Sequence, residues 1–249
     1  MKLMDLFSFL PLSIQQKLAH IYIDRQLKKK VTINIKGQQH LDSISSPCIF
    51  IANHLSNLDG IVLMRLLKKK FDPHFVAGVK LSDDKFTNFF KTLIKTIDIK
   101  PNSADLESMK RIINTLKGGE SVMIFPEGTR SRTGSLNEAK KGITLIARMS
   151  KAPIVPIALM GTEEVVPIDP GNQMSKERFH EGTVDLIIGK PFHLVGKNPG
   201  EDRHEYDERA LNQIMGQIAK NLRPAYQGVY SDLVSKIEST SAEKEMRND

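Results

Sequence analysis

The sequence predicts an α/β fold: a single domain with a mixed, largely buried sheet flanked by helices, plus an N-terminal amphipathic helical segment. Three observations carry this. From about residue 31, short apolar runs rich in Ile, Val and Phe alternate with stretches of helical period. Such alternation is the mark of a sheet covered by helices. No Pro/Gly/Ser-rich linker, internal repeat or low-complexity segment divides the 249 residues, a length that one large domain accommodates.

Residues 1–30 come first. Leu3, Leu6, Phe7 and Leu10 recur at helical spacing, and after Pro11 so do Ile14, Leu18, Ile21 and Tyr22. The segment closes on "LKKK" and carries six Lys or Arg against two Asp. An apolar face with a basic flank suits a helix lying in a membrane interface; a helix packed on the domain core beside a solvated Lys run would read the same way. The segment 1–30 is therefore expected to meet an anionic membrane surface.

"VTINIKG" alternates and predicts a strand, and "PCIFIAN" a buried one. "DGIVLMRLLKKK" predicts a helix, "HFVAGVK" a strand, and "KFTNFFKTLIKTI" a helix through Phe86, Phe89, Phe90, Leu93 and Ile94. "DIKP" is a short strand. "SADLESMKRIINTLKGG" has a Ser cap and closing glycines, both helix-boundary signals. Strands follow at "SVMI", "APIVPIALMG" and "TVDLIIGKPF", and helices at "EAKKGITLIARMSK" and "DERALNQIMGQIAKNL". The division expected is an interface segment over 1–30, a folded domain over 31–230, and a polar, fraying tail over 231–249.

Thirty-six Lys and Arg against 29 Asp and Glu give a net charge of +7. This suits an anionic partner, whether nucleic acid, membrane or a phosphorylated substrate. Aromatics are 6% of residues and Trp is absent, which is poor supply for base stacking; no nucleic-acid partner is expected. The single cysteine, Cys48, excludes an intrachain disulfide and a Cys-rich zinc site. It lies in an apolar run and reads as a buried structural thiol. No metal cluster is visible, so no metal is expected. No secretory signal stands out, and no run approaches the ~20 apolar residues a spanning helix needs. A cytoplasmic location is expected, with membrane contact at the surface.

Two polar breaks carry chemistry. The first is "NHLSNLDG", residues 53–60, between a strand and a helix. In a continuous helix, His54 and Asp59 would lie roughly 140° apart. In a continuous strand an odd separation puts them on opposite faces. They meet if the backbone bends, and Ser56 and Asn57 favour a bend. A carboxylate on one imidazole nitrogen would fix the tautomer and leave the other to take a proton from a hydroxyl. Alternatively Asp59 caps a helix and His54 lies in a turn. The second is "FPEGTRSRTG", residues 125–134, after the strand "SVMI". Gly128 admits close backbone approach, and Thr129, Arg130, Ser131 and Arg132 supply hydroxyls and guanidiniums suited to phosphate. Lys140 and Lys141 follow. Glu127 would repel a phosphate and is expected to orient an arginine or a backbone amide. A solvated basic loop is the competing reading.

In order and spacing these blocks resemble the glycerolipid acyltransferases. "NHLSNLDG" is similar to the family's N-H-x-S-x-x-D block, "FPEGTRSR" to F-P-E-G-T-R-S, "IVPIAL" to the V-P-hydrophobic block, and "AKKGITLIA" to the K-x-G stretch, with Lys140 at its lysine. The resemblance spans roughly residues 31–195 and looks strongest to the bacterial 1-acylglycerol-3-phosphate branch. It implies acyl transfer from acyl-CoA or acyl carrier protein to the sn-2 hydroxyl of lysophosphatidate, giving phosphatidate, by a peripheral enzyme on the cytoplasmic face of the membrane. It also implies no cofactor beyond the donor. His54 would be the base and Asp59 its orienting carboxylate; Glu127, Gly128, Thr129 and Arg130 would match the acceptor-phosphate block. Lys80 in "AGVKL" resembles the lysine that opens a middle block. That block usually ends in arginine, where "IDIK" has Lys100. Lysine keeps the charge but not the bidentate fork, so other lysophospholipids or glycerol 3-phosphate stay open as acceptors. The aromatic often found inside the first block is replaced by Asn57 and Leu58. A non-catalytic lipid- or phosphate-binding membrane protein is the alternative from another class. Oxyanion donors are sought among backbone amides near 54–59 or 155–157.

Overall fold

The computed structural model describes residues 10–45, 47–78, 92–100, 105–171 and 173–246. In chain order the principal elements are α1 (Leu12–Lys30), β1 (Val31–Lys36), β2 (Ile49–Ala52), α2 (Leu58–Leu67), β3 (His74–Gly78), β4 (Thr96–Ile99), α3 (Leu106–Lys117), β5 (Val122–Ile124), α4 (Gly142–Ser150), β6 (Ile154–Met160), β7 (Gly182–Ile188), α5 (Arg203–Ala219) and α6 (Ser231–Met246). One-turn helices lie at Gln39–Asp42 and Thr162–Val165.

The strands form a seven-stranded sheet in the order β1-β7-β6-β2-β5-β3-β4. From β6 to β4 every pairing is parallel; β7 runs antiparallel to β6, and β1 parallel to β7. The sheet is therefore mixed. Helices cover both faces, which is why β2 and β6 are buried at every position and read as continuous apolar runs. Alternation along β2 sends Phe50 and Ala52 to one cluster, with Ile23 and Leu27 of α1 and Leu63 and Leu67 of α2. Ile49 and Ile51 join the other, with Ile112 of α3, Ile146 of α4 and Ile218 of α5. Fully burying such a side chain contributes about 1.5–3 kcal/mol. Cys48 is buried too, and burial pushes its thiol up to about 11, as a structural thiol requires.

The topology decides where chemistry can occur. Since β2, β5, β3 and β4 are adjacent and parallel, the loops at their carboxyl ends open on one edge of the sheet. That edge is the usual ligand site of an open α/β sheet.

Four segments differ from expectation or fall outside the described residues. The helix expected over "KFTNFFKTLIKTI" lies mostly in residues 79–91, outside the described set, and its end is strand: Thr96 and Ile97 open β4, with Val76 paired to Ile97. β-Branched residues beside an available edge of β3 outweigh the helical spacing there. The cap of α3 is Asp105, whose carboxylate accepts from Ser108 N–H; the expected Ser103 is outside the described residues. The tail does not fray from Ser231. It forms α6, docked on α5 where Gly216 leaves room for Leu233 and Ile237. Its polar composition hid a few apolar residues sharing one face.

The N-terminal segment is described from residue 10, so Leu3, Leu6, Phe7 and Phe9 are outside it. Within α1, Ile23 and Leu27 are buried against the domain, while Ile14, Leu18, Ile21 and Tyr22 are exposed, as is Leu10 just before the helix. Arg25, Lys28 and Lys29 continue the exposed side. No helix among the described residues is long and apolar enough to cross a membrane.

Candidate active site

The break after β2 is a tight turn into α2, and it closes the five-residue gap. His54 Nδ1 lies 2.7 Å from Asp59 Oδ2. The same oxygen accepts from Leu55 N–H at 2.7 Å and Ser56 N–H at 2.8 Å. Asp59 is fully buried, in the first turn of α2, where the helix N-terminus favours its negative charge. These bonds leave Nδ1 as the donor to Asp59 and Nε2 with its lone pair. The His54 side chain is 20% exposed, whereas that of Asp59 is wholly enclosed. Of the two readings of Asp59 the structure shows the pairing: it holds the histidine and does not cap α2, whose N-cap is Asn57 with no side-chain cap bond.

Neighbouring polar residues fix the turn. Asn53 donates to Leu159 C=O and accepts from Leu159 N–H, both at 2.8 Å, so its amide extends the pairing of β2 with β6 by one position. Ser56 Oγ donates to Val166 C=O at 2.6 Å and accepts from Leu58 N–H at 3.1 Å.

The loop after β5 forms the histidine's socket. Glu127 is buried; Oε1 accepts from His54 N–H at 2.8 Å and Oε2 from Asn137 N–H at 2.9 Å. Ser131 N–H donates to His54 C=O at 2.7 Å, and Phe125 stacks on the imidazole with ring centroids 4.0 Å apart. Glu127 therefore orients backbone amides rather than an arginine. A carboxylate with both oxygens on backbone N–H and 1% exposure has the geometry of a strut. Burial pushes it up to about 7, against the two N–H bonds, with nearby Asp59 adding to the rise.

The remaining candidates surround this core. Gly128 has φ +70°, and a Cβ there would come 3.2 Å from Lys140 Cγ. The missing side chain lets Lys140 cross the loop, pinned by Lys140 N–H to Pro126 C=O at 2.8 Å. Gly128, Thr129 and Lys140 are exposed. Arg130 points one guanidinium nitrogen at Glu177, with Nη1 to Oε1 at 3.2 Å. Lys100 directly follows β4, three strands from β2, or about 14 Å along the edge at normal strand spacing; Asp105 Oδ2 accepts from its backbone N–H at 2.9 Å. Lys80 lies outside the described residues.

The oxyanion donors sought among residues 54–59 are largely spoken for. The amides of His54, Leu55, Ser56, Leu58 and Asp59 all donate to protein acceptors. Positions 155–157 lie inside β6, paired with β2, and Pro156 has no N–H. Sequence reading missed Phe125 and Ser131 as histidine contacts, and Glu177 altogether. The aromatic directly before "PEG" was a usable signal for Phe125; Glu177 had none.

The acyltransferase family model matches residues 32–160. The chain is 34% identical over 164 residues to the chloroplastic 1-acyl-sn-glycerol-3-phosphate acyltransferase LPAT1 of Arabidopsis thaliana, covering 65% of this chain and 44% of that protein. It is 33% identical over 151 residues to the Bacillus subtilis 1-acyl-sn-glycerol-3-phosphate acyltransferase, covering 60% of this chain and 70% of that one. Against the plant chloroplast relatives, then, it spans less than half their length. The crystal structure of the 1-acyl-sn-glycerophosphate acyltransferase PlsC from Thermotoga maritima has a similar fold, with a TM-score of 0.57 at 20% identity, over 83% of this chain and 80% of that one. With more than half its residues matched by the family model, and both motif loops inside the matched span, the chain belongs to the acyltransferase family.

Proposed function

We propose that this protein transfers an acyl group from acyl-CoA or acyl carrier protein to the sn-2 hydroxyl of lysophosphatidate, giving phosphatidate. The observation that carries it is the His54 Nδ1–Asp59 Oδ2 bond of 2.7 Å, on a histidine side chain that is 20% exposed. The names of the relatives from Arabidopsis and Bacillus supply the acceptor.

A thioester is already an activated acyl donor, whereas an alcohol is a weak nucleophile near neutral pH. His54 Nε2 takes the hydroxyl proton as the oxygen attacks the thioester carbon. The C–S bond then breaks, and the proton passes from His54 to the leaving thiolate. Asp59 stabilises the transient imidazolium, and this acid–base assistance supplies ~10²–10⁴-fold. Arg130 holds the acceptor phosphate, with Lys100 at the same sheet edge, and so fixes its hydroxyl near His54; Lys80 is assigned to the acceptor by the family resemblance alone. Gly128, Thr129 and Lys140 border the same loop. Docking uses α1: its exposed Leu18, Ile21 and Tyr22 enter the lipid interface and its basic end meets anionic headgroups. The enzyme thereby works peripherally, on the cytoplasmic face of the membrane, where its acceptor resides.

The test crosses both donor carriers with lysophosphatidate, other lysophospholipids and glycerol 3-phosphate on purified protein. Turnover is expected with lysophosphatidate and should vanish in His54→Ala while lysophosphatidate still binds. Wild-type rates in that variant would eliminate the base; turnover confined to another acceptor would replace the substrate.

A further inference from the structure

Glu177 belongs to neither motif, yet it touches both. It follows a short 3-10 turn at Met174–Lys176, and its side chain is 3% exposed. Oε2 accepts from Asn57 Nδ2 at 2.6 Å, and Oε1 from Arg130 Nη1 at 3.2 Å. One carboxylate thus joins the turn after β2 to the loop after β5. The segment that bears it is itself held. Phe179 packs against the core cluster, its carbonyl accepts from Lys30 Nζ at 2.6 Å, and His180 N–H donates to Val165 C=O at 2.8 Å. A carboxylate on so fixed a frame can aim a flexible side chain.

The manner of contact is informative. Glu177 meets Arg130 end-on, through one nitrogen of a guanidinium that carries five N–H donors. A carboxylate standing in for phosphate would take the two-pronged face of the fork. Here the contact takes one nitrogen of a side chain that is 11% exposed. Asn57, which replaces an aromatic of the resembling family, acquires a purpose: it holds the second oxygen of Glu177 and so couples the guanidinium's direction to the turn bearing His54.

We propose that Glu177 is a positioning residue, which sets the direction of the Arg130 guanidinium relative to His54 so that its remaining N–H groups meet the acceptor phosphate. This rests on the acceptor reading under Proposed function. Its energetic effect falls on acceptor binding, not on proton transfer.

The experiment measures steady-state kinetics of full-length wild type, Glu177→Gln, Glu177→Asp, Arg130→Ala and the Glu177→Gln/Arg130→Ala double variant. Lysophosphatidate is varied at saturating donor, then the reverse. Glu177→Gln keeps one acceptor oxygen where two are needed. Its KM for lysophosphatidate should rise ~10-fold, with kcat within about threefold and donor KM unchanged, the signature of lost acceptor binding. Glu177→Asp should fall between the two. In the Arg130→Ala background, adding Glu177→Gln should change KM by less than about twofold, because the interaction it acts through is gone. An unchanged KM overturns the proposal, as does a lower Tm and kcat at constant KM, which marks a mere buttress. A fall in KM also overturns it, since Glu177 would then compete with phosphate. Should Glu177→Gln not fold, Asn57→Ala carries the test: a KM rise of about threefold supports the proposal and no rise refutes it. Wild-type inactivity on lysophosphatidate would refute the acceptor reading and this inference together; an active wild type with an unaltered variant KM refutes this inference alone.

Discussion

Replacing Glu127 by Gln gives a pH-dependent result whose sign follows from the site. Burial raises the Glu127 carboxyl from 4.5 to about 7. The folded protein therefore holds this proton more tightly than the unfolded chain. The associated stability is complete below pH 4.5 and is lost as pH rises through about 7. At 1.36 kcal/mol per pKa unit, the loss is about 3 kcal/mol. Gln does not titrate, so this slope disappears in the variant. Gln also has one carbonyl where Glu127 has two acceptor oxygens, so either His54 N–H or Asn137 N–H is left facing an NH₂ group. An unpaired buried donor costs about 1–3 kcal/mol. At pH 4.5 the variant should thus be less stable than wild type by about 1–3 kcal/mol. The gap should close or reverse by pH 7.5, as wild type loses its about 3 kcal/mol. Urea unfolding at fixed ionic strength, from pH 4.5 to 8, gives the difference directly, and groups distant from Glu127 cancel in it. A stability gap constant across that window would refute the assignment of the titration to this buried strut.

Other perturbations probe separate parts of the site. Asp59→Asn can keep its oxygen toward the Leu55 and Ser56 amides but removes the charge facing His54, so kcat should fall ~10²–10⁴-fold with acceptor KM little changed; a fall in KM alone would contradict the orienting role. Asn53→Ala strips both partners from Leu159 N–H and C=O, which are buried, and should destabilise by about 2–4 kcal/mol, read from the urea midpoint. Ile21→Asp, on the exposed side of α1, should cut sedimentation with anionic vesicles while leaving Tm within about 2 °C, because no core contact is removed. Added salt should weaken wild-type sedimentation as well; full retention in the variant and at high salt would end the interfacial-helix reading.

Several of these residues are legible in the amino-acid order alone. The pairing of His54 with Asp59 needs a bend, and a bend is what Ser56 and Asn57 between a strand and a helix imply. The buried strands β2 and β6 stand out as unbroken apolar runs, since both their faces are covered. The reading of α6 as tail fails for the converse reason: its apolar residues are few, and their value comes from Gly216 on another helix. The end of the helix expected before β4 fails because an available sheet edge, a tertiary fact, recruits Thr96 and Ile97.

By itself the sequence determined the alternation that makes a covered sheet and the family to which its two motif loops belong. It also determined the five-residue interval that can place an imidazole on a carboxylate. Tertiary structure decided how those loops work on each other. Glu127 grips the histidine's backbone, and Glu177, 47 residues from Arg130 and 120 from Asn57, ties the loops together. Local spacing constrains contacts within a turn or a helix. Contacts between loops depend on which strands lie side by side, and that order is set by the packing of the whole sheet.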